Sequence, residues 1–449
     1  MYLSVFLGIH LSITPAAAQP NFVLVLADDL RYDALGCAGN PVVKTPHIDR
    51  LAANGVAFRN SFVTTSICGV SRASILTGQY ARRHGIGDLA TPLTLERWAE
   101  TYPAILREAG YRTGFIGKFG VGKDVSPMAA EFDYWRGLPG QAGLFFDPKD
   151  ATKTHATAKF GNHALEFLDG CEPGKPFCLS VSFSAPHARD GQPREFPPDV
   201  RDESLYADAT IVPPPTAAES FYQALPEFAR DLEGRRRWAR RFSTPEMYQS
   251  TVRDYYRLIT GIDREVGRIV EKLREHGVLD NTLIIFTSDN GFMLGDRGMA
   301  DKWLMYEESI RVPLIVVDPR QPSRHGSKVD AMVLNIDLAP TLLDAAGMAT
   351  PAGMQGRSLL PLIRGEAPAW RGEWFYEHHT QPKLIPPSEG VRTERWKYLR
   401  WVGVEPAVEE LYDLSADPLE ATNLAPHPEH AAKLAELRAR WQALGRELR

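Results

Sequence analysis

The chain has 449 residues, of which 44% are hydrophobic and 24% are charged, and its formal net charge at pH 7 is -5. This length predicts one large domain with a smaller one beside it, and the composition is that of an ordinary folded protein. The mild negative charge argues against a dedicated nucleic-acid-binding protein, because such proteins carry strongly basic surfaces.

The first residues have the pattern of a secretory signal peptide. An apolar stretch at 2–13 is followed by small residues at 15–18, which offer a cleavage site before Gln19. The stretch is too short to span a bilayer comfortably, and no later segment has a transmembrane pattern. We therefore expect residues 1–18 to be a signal peptide and the mature protein to be exported, to the periplasm or the medium. A buried first strand is the other interpretation.

Short apolar segments rich in β-branched residues recur along the chain. They lie at 21–27, 113–117, 177–183, 282–287 and 312–317. Such runs are typical of strands that are buried on both faces of a parallel sheet. Helical patterns lie between them, and the clearest has apolar residues at every third or fourth position from Val252 to Lys272. The alternation predicts an α/β fold, with a large, mostly parallel sheet flanked by helices.

The sequence pattern changes near residue 365. Aromatic segments at 374–376, 396–401 and 410–414 indicate a small antiparallel sheet, and an apolar stripe at 434–448 indicates a closing helix. We therefore expect a main domain at 19–365 and a smaller C-terminal α+β subdomain at 366–449. The segment 188–248, rich in Pro, Arg and Asp, is expected to be a long and mostly irregular excursion, of a kind that often carries function.

Polar side chains follow four of the predicted strands. They are Asp28 and Asp29, then Lys118, then His187, and finally Asp289 and Asn290. In open parallel sheets a ligand binds beyond the carboxyl ends of the strands, so we expect these side chains to meet in one crevice. For any one of them taken alone, a solvated loop position is the simpler interpretation.

Four of these side chains offer only oxygen atoms to a ligand, namely Asp28, Asp29, Asp289 and Asn290. Oxygen ligands select calcium or magnesium, whereas a zinc site would require His or Cys. The sequence therefore predicts a site for a divalent cation, Ca²⁺ first and Mg²⁺ as the alternative. The competing interpretation of the Asp28–Asp29 pair is that it caps a following helix.

Cys68 lies just ahead of a helix that is predicted to begin at Ser71. Helix N-termini favour anions and lower thiol pKa values, and Arg72 adds a planar, permanently charged donor. These residues indicate a nucleophile in an anion-binding corner, or a small buried thiol before an ordinary helix. Cys171 and Cys178 flank a turn-like segment and are either a disulfide or two unrelated thiols, because spacing alone does not fix the geometry.

The segment from Ser66 to Gly78 resembles the signature of the type I sulfatases, which depend on formylglycine and belong to the alkaline phosphatase superfamily. That signature is Cys-x-Pro-Ser-Arg followed by Leu-Thr-Gly. The resemblance spans nearly the whole mature chain, through segments 27–29, 44–51, 117–118, 185–187, 288–291, 302–314 and 411–418.

In that family a maturation enzyme oxidises the signature cysteine to formylglycine. The hydrated aldehyde attacks sulfur and expels the alcohol, and its second hydroxyl then releases sulfate. The resemblance implies that Cys68 is this nucleophile and a neighbour of the metal, and that Arg72 holds the diol. It also implies that Lys118 and Lys302 bind sulfate oxygens, while His187 protonates the leaving oxygen or stabilises its charge. Fixed cations aimed at a transferring sulfuryl group agree with these roles.

Two positions depart from the family pattern. Val70 stands where Pro or, less often, Ala is usual. We expect maturation to proceed despite this, since Val can occupy an extended backbone as Pro does. Gly120 stands where a His is usual, one that is thought to help deprotonate the diol, so this role has no assigned residue. His84 and His155 are the candidate substitutes, although a structural role is the simpler interpretation of each.

The expected reaction is hydrolysis of sulfate esters, with a sulfated carbohydrate as the expected substrate. The segment 235–241 joins five arginines to Trp238, and guanidinium groups pair well with sulfate-like oxyanions. It is either a sugar-binding patch or a solvated helical face balanced by Asp231 and Glu233. The alternatives in function are a phosphodiesterase or phosphonate monoester hydrolase of the same superfamily and, in a different class, a non-catalytic glycan-binding relative.

Overall fold

The computed structural model describes residues 19–140, 145–147 and 149–449, so the predicted signal peptide lies outside the described residues. The described strands are β1 (Asn21–Ala27), β2 (Val56–Phe58), β3 (Ser61–Phe62), β4 (Arg112–Lys118), β5 (Tyr134–Leu138), β6 (Phe177–Ser182), β7 (Thr282–Ser288), β8 (Met293–Leu294), β9 (Ala300–Asp301), β10 (Leu314–Val317), β11 (Ser327–Val329), β12 (Val333–Leu334), β13 (Glu373–His378), β14 (Ser388–Thr393), β15 (Trp396–Trp401) and β16 (Glu409–Asp413). The described α-helices are α1 (Pro46–Ala53), α2 (Cys68–Thr77), α3 (Ala81–His84), α4 (Leu95–Ala99), α5 (Tyr102–Glu108), α6 (Ser126–Ala129), α7 (Ala156–Asp169), α8 (Glu219–Ala224), α9 (Glu227–Arg230), α10 (Glu233–Arg241), α11 (Pro245–Glu275), α12 (Glu307–Ile310), α13 (Leu338–Ala345), α14 (Leu360–Ile363) and α15 (Ala431–Glu447).

The large sheet has the strand order β11-β2-β10-β7-β1-β6-β4-β5. Strands β7, β1, β6, β4 and β5 run parallel to one another, which confirms the predicted α/β fold. The segment 312–317 was expected to join the parallel strands, but β10 runs antiparallel to both β7 and β2. A strand covered on both faces needs the same continuous apolar sequence in either direction, so composition cannot reveal its orientation.

Side chains of the central strands alternate between two cores, one on each face of the sheet. On β1, Val23 and Val25 pack into the core beneath α7 and α11, while Phe22 and Leu24 pack into the core beneath α2, α5 and α13. Helices therefore cover both faces. The longest, α11, begins well before the predicted Val252, because Thr244 caps it by accepting a hydrogen bond from the Met247 N–H at 3.2 Å.

A separate antiparallel sheet, β13-β14-β15-β16, forms near the C-terminus, and α15 packs against it, as predicted. Strand β14 was not predicted, since Ser388–Thr393 contains Glu389, Gly390 and Arg392 and only one large aliphatic residue. The division of the chain at residue 365 stays a prediction.

The excursion at 188–248 is more regular than expected. It contains the short helices α8, α9 and α10, which are too short to produce a clear apolar periodicity in the sequence. The arginine-rich segment at 235–241 lies on α10. Within the ranges that the structure describes, no helix combines the length and the apolar character needed to cross a membrane.

The two cysteines considered as a disulfide are both free. Cys178 is buried in β6 and points into the core beneath α2, whereas Cys171 packs against the core on the opposite face of the sheet. The Cys171 thiol instead donates a hydrogen bond to the Phe167 carbonyl at 3.4 Å. The sheet itself therefore separates the two sulfur atoms, and the disulfide interpretation is wrong.

Candidate active site

The polar residues predicted to follow the strands meet at one edge of the large sheet. The strands that carry them, β4, β6, β1 and β7, are consecutive neighbours in the sheet. Contacts across strands join the residues directly, because the Asp29 N–H donates to Asp289 Oδ1 at 3.1 Å and His187 Nε2 lies 3.5 Å from Asp29 Oδ2. The crevice expected from the sequence is therefore present, and it forms where parallel strands end together.

Cys68 is the first residue of α2 rather than a residue ahead of the helix. Its Sγ lies 3.3 Å from Asp28 Oδ1 and accepts a hydrogen bond from Asn290 Nδ2 at 3.4 Å. If the residue is converted to formylglycine, Sγ stands in for the oxygen atoms of the modified side chain. Burial, followed by the charge of Asp28, raises the pKa of the Cys68 thiol well above its ordinary value, which is opposite to the lowering expected at a helix N-terminus.

Val70 lies in the first turn of α2, so the expectation of an extended backbone at this position is wrong. Its side chain is buried against Ile67, Trp303 and Ile385. The first turn of a helix is also where Pro is tolerated, because its missing N–H would have no intrahelical partner. Val70 and the Pro usual in the family are therefore compatible with the same helical start.

Three cations surround Cys68 and its carboxylates. Lys118 Nζ lies 2.6 Å from Asp28 Oδ2, and Lys302 Nζ lies 2.5 Å from Asp29 Oδ2. Arg72, one turn after Cys68, donates from Nε to Asp289 Oδ2 at 2.7 Å. All of these groups are almost completely buried, so their charges act through a medium of low dielectric constant.

One guanidinium nitrogen of Arg72 forms no hydrogen bond with the described residues. Its NH1 donates to the Lys118 carbonyl at 2.5 Å and also to Ser182 Oγ, whereas its NH2 is buried without a hydrogen-bond partner among the described residues. Ser182 was not identified from the sequence. It is the last residue of β6, and its hydroxyl donates to the Lys118 carbonyl at 2.8 Å. Ser182 thus holds both the arginine and the end of β4.

The oxygen-bearing side chains fit a divalent cation. Asp28, Asp29, Asp289 and Asn290 are completely buried, and Asn290 Oδ1 has no hydrogen-bond partner within the described part of the chain. An unpaired buried amide oxygen beside three carboxylates is the donor set that a hard cation requires. Burial raises the pKa of Asp29 to about 7, so the negative charge of this carboxylate in particular is costly without further compensation. Ligand atoms of Cys68 and His187 lie within 4.8 Å of those of Asp28 and Asp29.

His187 has a defined orientation. Its Nδ1 lies 2.6 Å from the Ala188 carbonyl, which can only accept, so Nδ1 carries a hydrogen and Nε2 faces Asp29. Burial, and then the positive charges of Lys302 and Lys118, lower the pKa of His187 well below its ordinary value. With 16% of its side chain exposed, His187 stands at the solvent side of the crevice.

Gly120 has a backbone that disfavours the histidine usual in the family. Its φ is +78°, a left-handed conformation that side chains other than glycine rarely adopt. A Cβ built at this position would lie only 2.6 Å from Cδ of Arg72. The two candidate substitutes have structural partners, since His84 Nε2 contacts Ser74 Oγ at 3.1 Å and His155 caps α7.

A buried ion-pair network connects α10 to the crevice. Arg237 NH1 lies 3.0 Å from Asp301 Oδ2 and 3.0 Å from Asp190 Oδ2, and Arg241 NH1 lies 2.8 Å from Asp301 Oδ2. Asp301 directly precedes Lys302, and it is fully buried with a φ of +72°. The arginines therefore fix the backbone from which Lys302 extends.

The fold and the site at the strand ends define a member of the alkaline phosphatase superfamily. The sequence profile of the sulfatase family matches residues 20–348, and the profile for the C-terminal part of N-sulphoglucosamine sulphohydrolase matches residues 295–447. The chain belongs to the sulfatase family, and it is a sulfuric ester hydrolase.

Individual relatives agree with this assignment. The chain is 30% identical to N-acetylglucosamine-6-O-sulfatase of Bacteroides thetaiotaomicron, over 93% of this chain and 85% of that protein. It superimposes with a TM-score of 0.82 and 28% identity on an enzyme solved with its substrate D-glucosamine-2-N,6-O-disulfate, covering 96% of this chain and 98% of that one. A phosphonate monoester hydrolase of Agrobacterium radiobacter shares the fold, with a TM-score of 0.77, 24% identity and 96% coverage of both chains.

Proposed function

We propose that this sulfatase removes sulfate from sulfated carbohydrates, with a formylglycine derived from Cys68 and a divalent cation in the crevice. The observation that carries the proposal is the convergence of Cys68, Arg72, Lys118 and Lys302 on one buried cluster of carboxylates. The similarity to an N-acetylglucosamine-6-O-sulfatase and to an enzyme bound to a glucosamine disulfate supports an amino sugar as the first substrate to test.

In this proposal Asp28, Asp29, Asp289 and Asn290 hold the cation, with position 68 as its neighbour. Calcium or magnesium is favoured over zinc because all four side chains supply oxygen, and calcium is the first candidate. When bound, such a cation supplies positive charge that polarises sulfate oxygens and favours ionisation of a hydroxyl at position 68. It would also satisfy Asn290 Oδ1 and offset the cluster of negative charges.

The remaining roles belong to the protein's own cations. The NH2 of Arg72 forms no hydrogen bond to the part of the chain that the structure describes and lies 3.8 Å from Asp28 Oδ1, so it is available to donate to an oxygen at position 68, only one helical turn away. Lys118 and Lys302 contact the neighbouring carboxylates of Asp28 and Asp29, respectively, where their ammonium groups can bind the oxygens of a sulfate group. Cations fixed before the reaction stabilise charge that develops in the transition state without costly reorganisation.

His187 is proposed to act on the leaving group. It stands at the solvent side of the site, where the sugar must extend when its sulfate occupies the buried cluster. The hydrogen bond from Nδ1 to Ala188 fixes the ring, so Nε2 is the atom that must first take up a second proton and then transfer it to the leaving oxygen.

Maturation and export are further parts of the proposal. Cys68 is the expected target of a formylglycine-generating enzyme, and residues 1–18 are the expected export signal. Mass spectrometry of the peptide that contains residue 68, from protein co-produced with a maturation enzyme, should show the loss of sulfur expected for the aldehyde. Unmodified cysteine in this protein, beside full conversion of a control sulfatase, would contradict the proposal.

The competing function is hydrolysis of phosphonate monoesters or phosphodiesters, which is motivated by the shared fold of the phosphonate monoester hydrolase. Paired assays separate the two. We expect kcat/KM for a sulfated N-acetylglucosamine to exceed kcat/KM for an aryl phosphonate monoester and an aryl phosphodiester. The reverse order would favour the competing function.

A further inference from the structure

A second cavity opens beside the loop that follows His187. Its volume is about 860 Å³, and its lining combines residues 191–196 with side chains from α10 and α11. This volume is within the range of cavities that hold small organic ligands. None of the catalytic residues proposed above is among its described lining residues, so it is separate from the crevice.

Guanidinium groups dominate this cavity. Its lining contains five arginines but only two carboxylates, Glu195 and Asp254. The arginines are Arg194, Arg240, Arg241, Arg253 and Arg257. Such an excess of fixed positive charge favours an anionic ligand.

Three of the five arginines are already neutralised. Arg194 Nε and Arg257 NH1 each lie 2.7 Å from a carboxylate oxygen of Asp254. Arg241 is buried, and its NH1 lies 2.8 Å from Asp301 Oδ2. These salt bridges stabilise the walls of the cavity, so the three arginines are not available to a ligand.

The other two arginines keep binding capacity. Arg240 is 43% exposed and reaches Glu195 only at 3.3 Å, and that carboxylate is also bound by Arg241. Arg253 donates from Nε and NH2 to the Ala209 carbonyl, at 3.2 and 2.8 Å, and forms no salt bridge within the described ranges. Two incompletely compensated guanidinium groups, from α10 and α11, therefore line the same cavity.

The cavity lies within reach of the catalytic crevice. Gly191 in its lining follows His187 by only four residues, a chain that spans at most about 14 Å when fully extended. On the other side, Arg241 contacts Asp301, the residue next to Lys302. A molecule with one end in the crevice can therefore extend to the cavity if it is a short chain of linked units.

We propose that this cavity is a second substrate subsite, which binds a sulfated sugar unit near the one that is cleaved. The inference rests on the proposed function, and it assigns the ligand as a sulfated oligosaccharide rather than a monosaccharide. Arginine binds sulfate oxygens through paired N–H donors, and Arg240 and Arg253 supply these groups. Of the arginines in the segment 235–241, Arg240 and Arg241 line the cavity, whereas Arg235 stacks on Tyr222 and Trp238.

Binding to a Cys68→Ala protein tests the subsite without turnover and without the need for maturation. Isothermal titration calorimetry would compare a sulfated tetrasaccharide with its sulfated monosaccharide, in this protein and after Arg240→Gln and Arg253→Gln are added. We expect Kd for the tetrasaccharide to rise about tenfold in the double substitution, while Kd for the monosaccharide stays unchanged. Arg236→Gln is the matched control, because Arg236 lies on the same helix, is 66% exposed and is absent from the lining.

The outcomes are distinct. The subsite is refuted if the double substitution leaves tetrasaccharide binding unchanged, or if it weakens both ligands equally. It is also refuted if the tetrasaccharide binds no more tightly than the monosaccharide, or if sodium sulfate binds the cavity as well as the tetrasaccharide does. Release of sulfate from the monosaccharide by the matured, unsubstituted enzyme would still support the proposed function in all of these cases.

Discussion

Substitution of Gly120 tests whether the protein could regain the histidine usual in its family. With φ at +78°, any side chain costs about 1–2 kcal/mol in backbone strain. The contact of 2.6 Å between a new Cβ and Arg72 Cδ adds an overpacking cost of about 1–3 kcal/mol. Gly120→Ala should therefore lower the free energy of unfolding by about 2–5 kcal/mol, and Gly120→His by at least as much.

A matched glycine separates the two contributions. Gly174 has the same φ of +78°, and a Cβ there would have no neighbour within 4 Å, so Gly174→Ala reports the backbone strain alone. Urea denaturation followed by circular dichroism would compare the variants. The extra loss at Gly120 should come from Arg72, whose hydrogen bonds to Asp289 and the Lys118 carbonyl must shift.

Turnover should fall with the displacement of Arg72, by about 100-fold or more if the guanidinium moves by an ångström. A Gly120→His enzyme that is as stable as the Gly174→Ala protein and at least as active as the unsubstituted enzyme would refute this reasoning. That result would show that Arg72 can move aside without loss of activity and that a histidine side chain fits at position 120.

Two further substitutions test separate parts of the mechanism. His187→Ala should lower kcat for a sugar sulfate by about 10²–10⁴-fold but affect 4-nitrophenyl sulfate much less, because nitrophenolate leaves without a proton. Equal losses on both substrates would argue against a role for His187 at the leaving group. Asp289→Ala should abolish activity and lower the content of bound calcium, measured by elemental analysis of the purified protein, because it removes a proposed ligand. Stoichiometric zinc in the unsubstituted enzyme would contradict the oxygen-ligand assignment.

Much of the site could be predicted because its residues follow conspicuous apolar strands. Asp28, Lys118 and Asp289 each stand at or just beyond the end of a buried β-branched run, and the parallel sheet brings such ends together. The apolar pattern of the strands and the rule for parallel sheets therefore predict the crevice without any knowledge of side-chain contacts.

Features that depend on long-range packing were not predictable in this way. Ser182 is simply the last polar residue of a strand, and only the fold reveals that it holds Arg72 and the Lys118 carbonyl. The ion pair between Arg237 and Asp301 joins residues 64 positions apart, so no local pattern encodes it. The sequence supplied nearer acids as candidate partners, and of these Glu233 does pair with Arg237, at 2.9 Å.

The most direct test of the account is the release of inorganic sulfate from 6-O-sulfated N-acetylglucosamine, quantified by ion chromatography. The enzyme co-produced with a maturation partner should release sulfate over many turnovers, and the Cys68→Ala protein prepared in the same way should release none. Release of sulfate by the Cys68→Ala protein would contradict the proposed function. So would the absence of sulfate release from every sulfated sugar tested, when the enzyme has been confirmed to contain formylglycine.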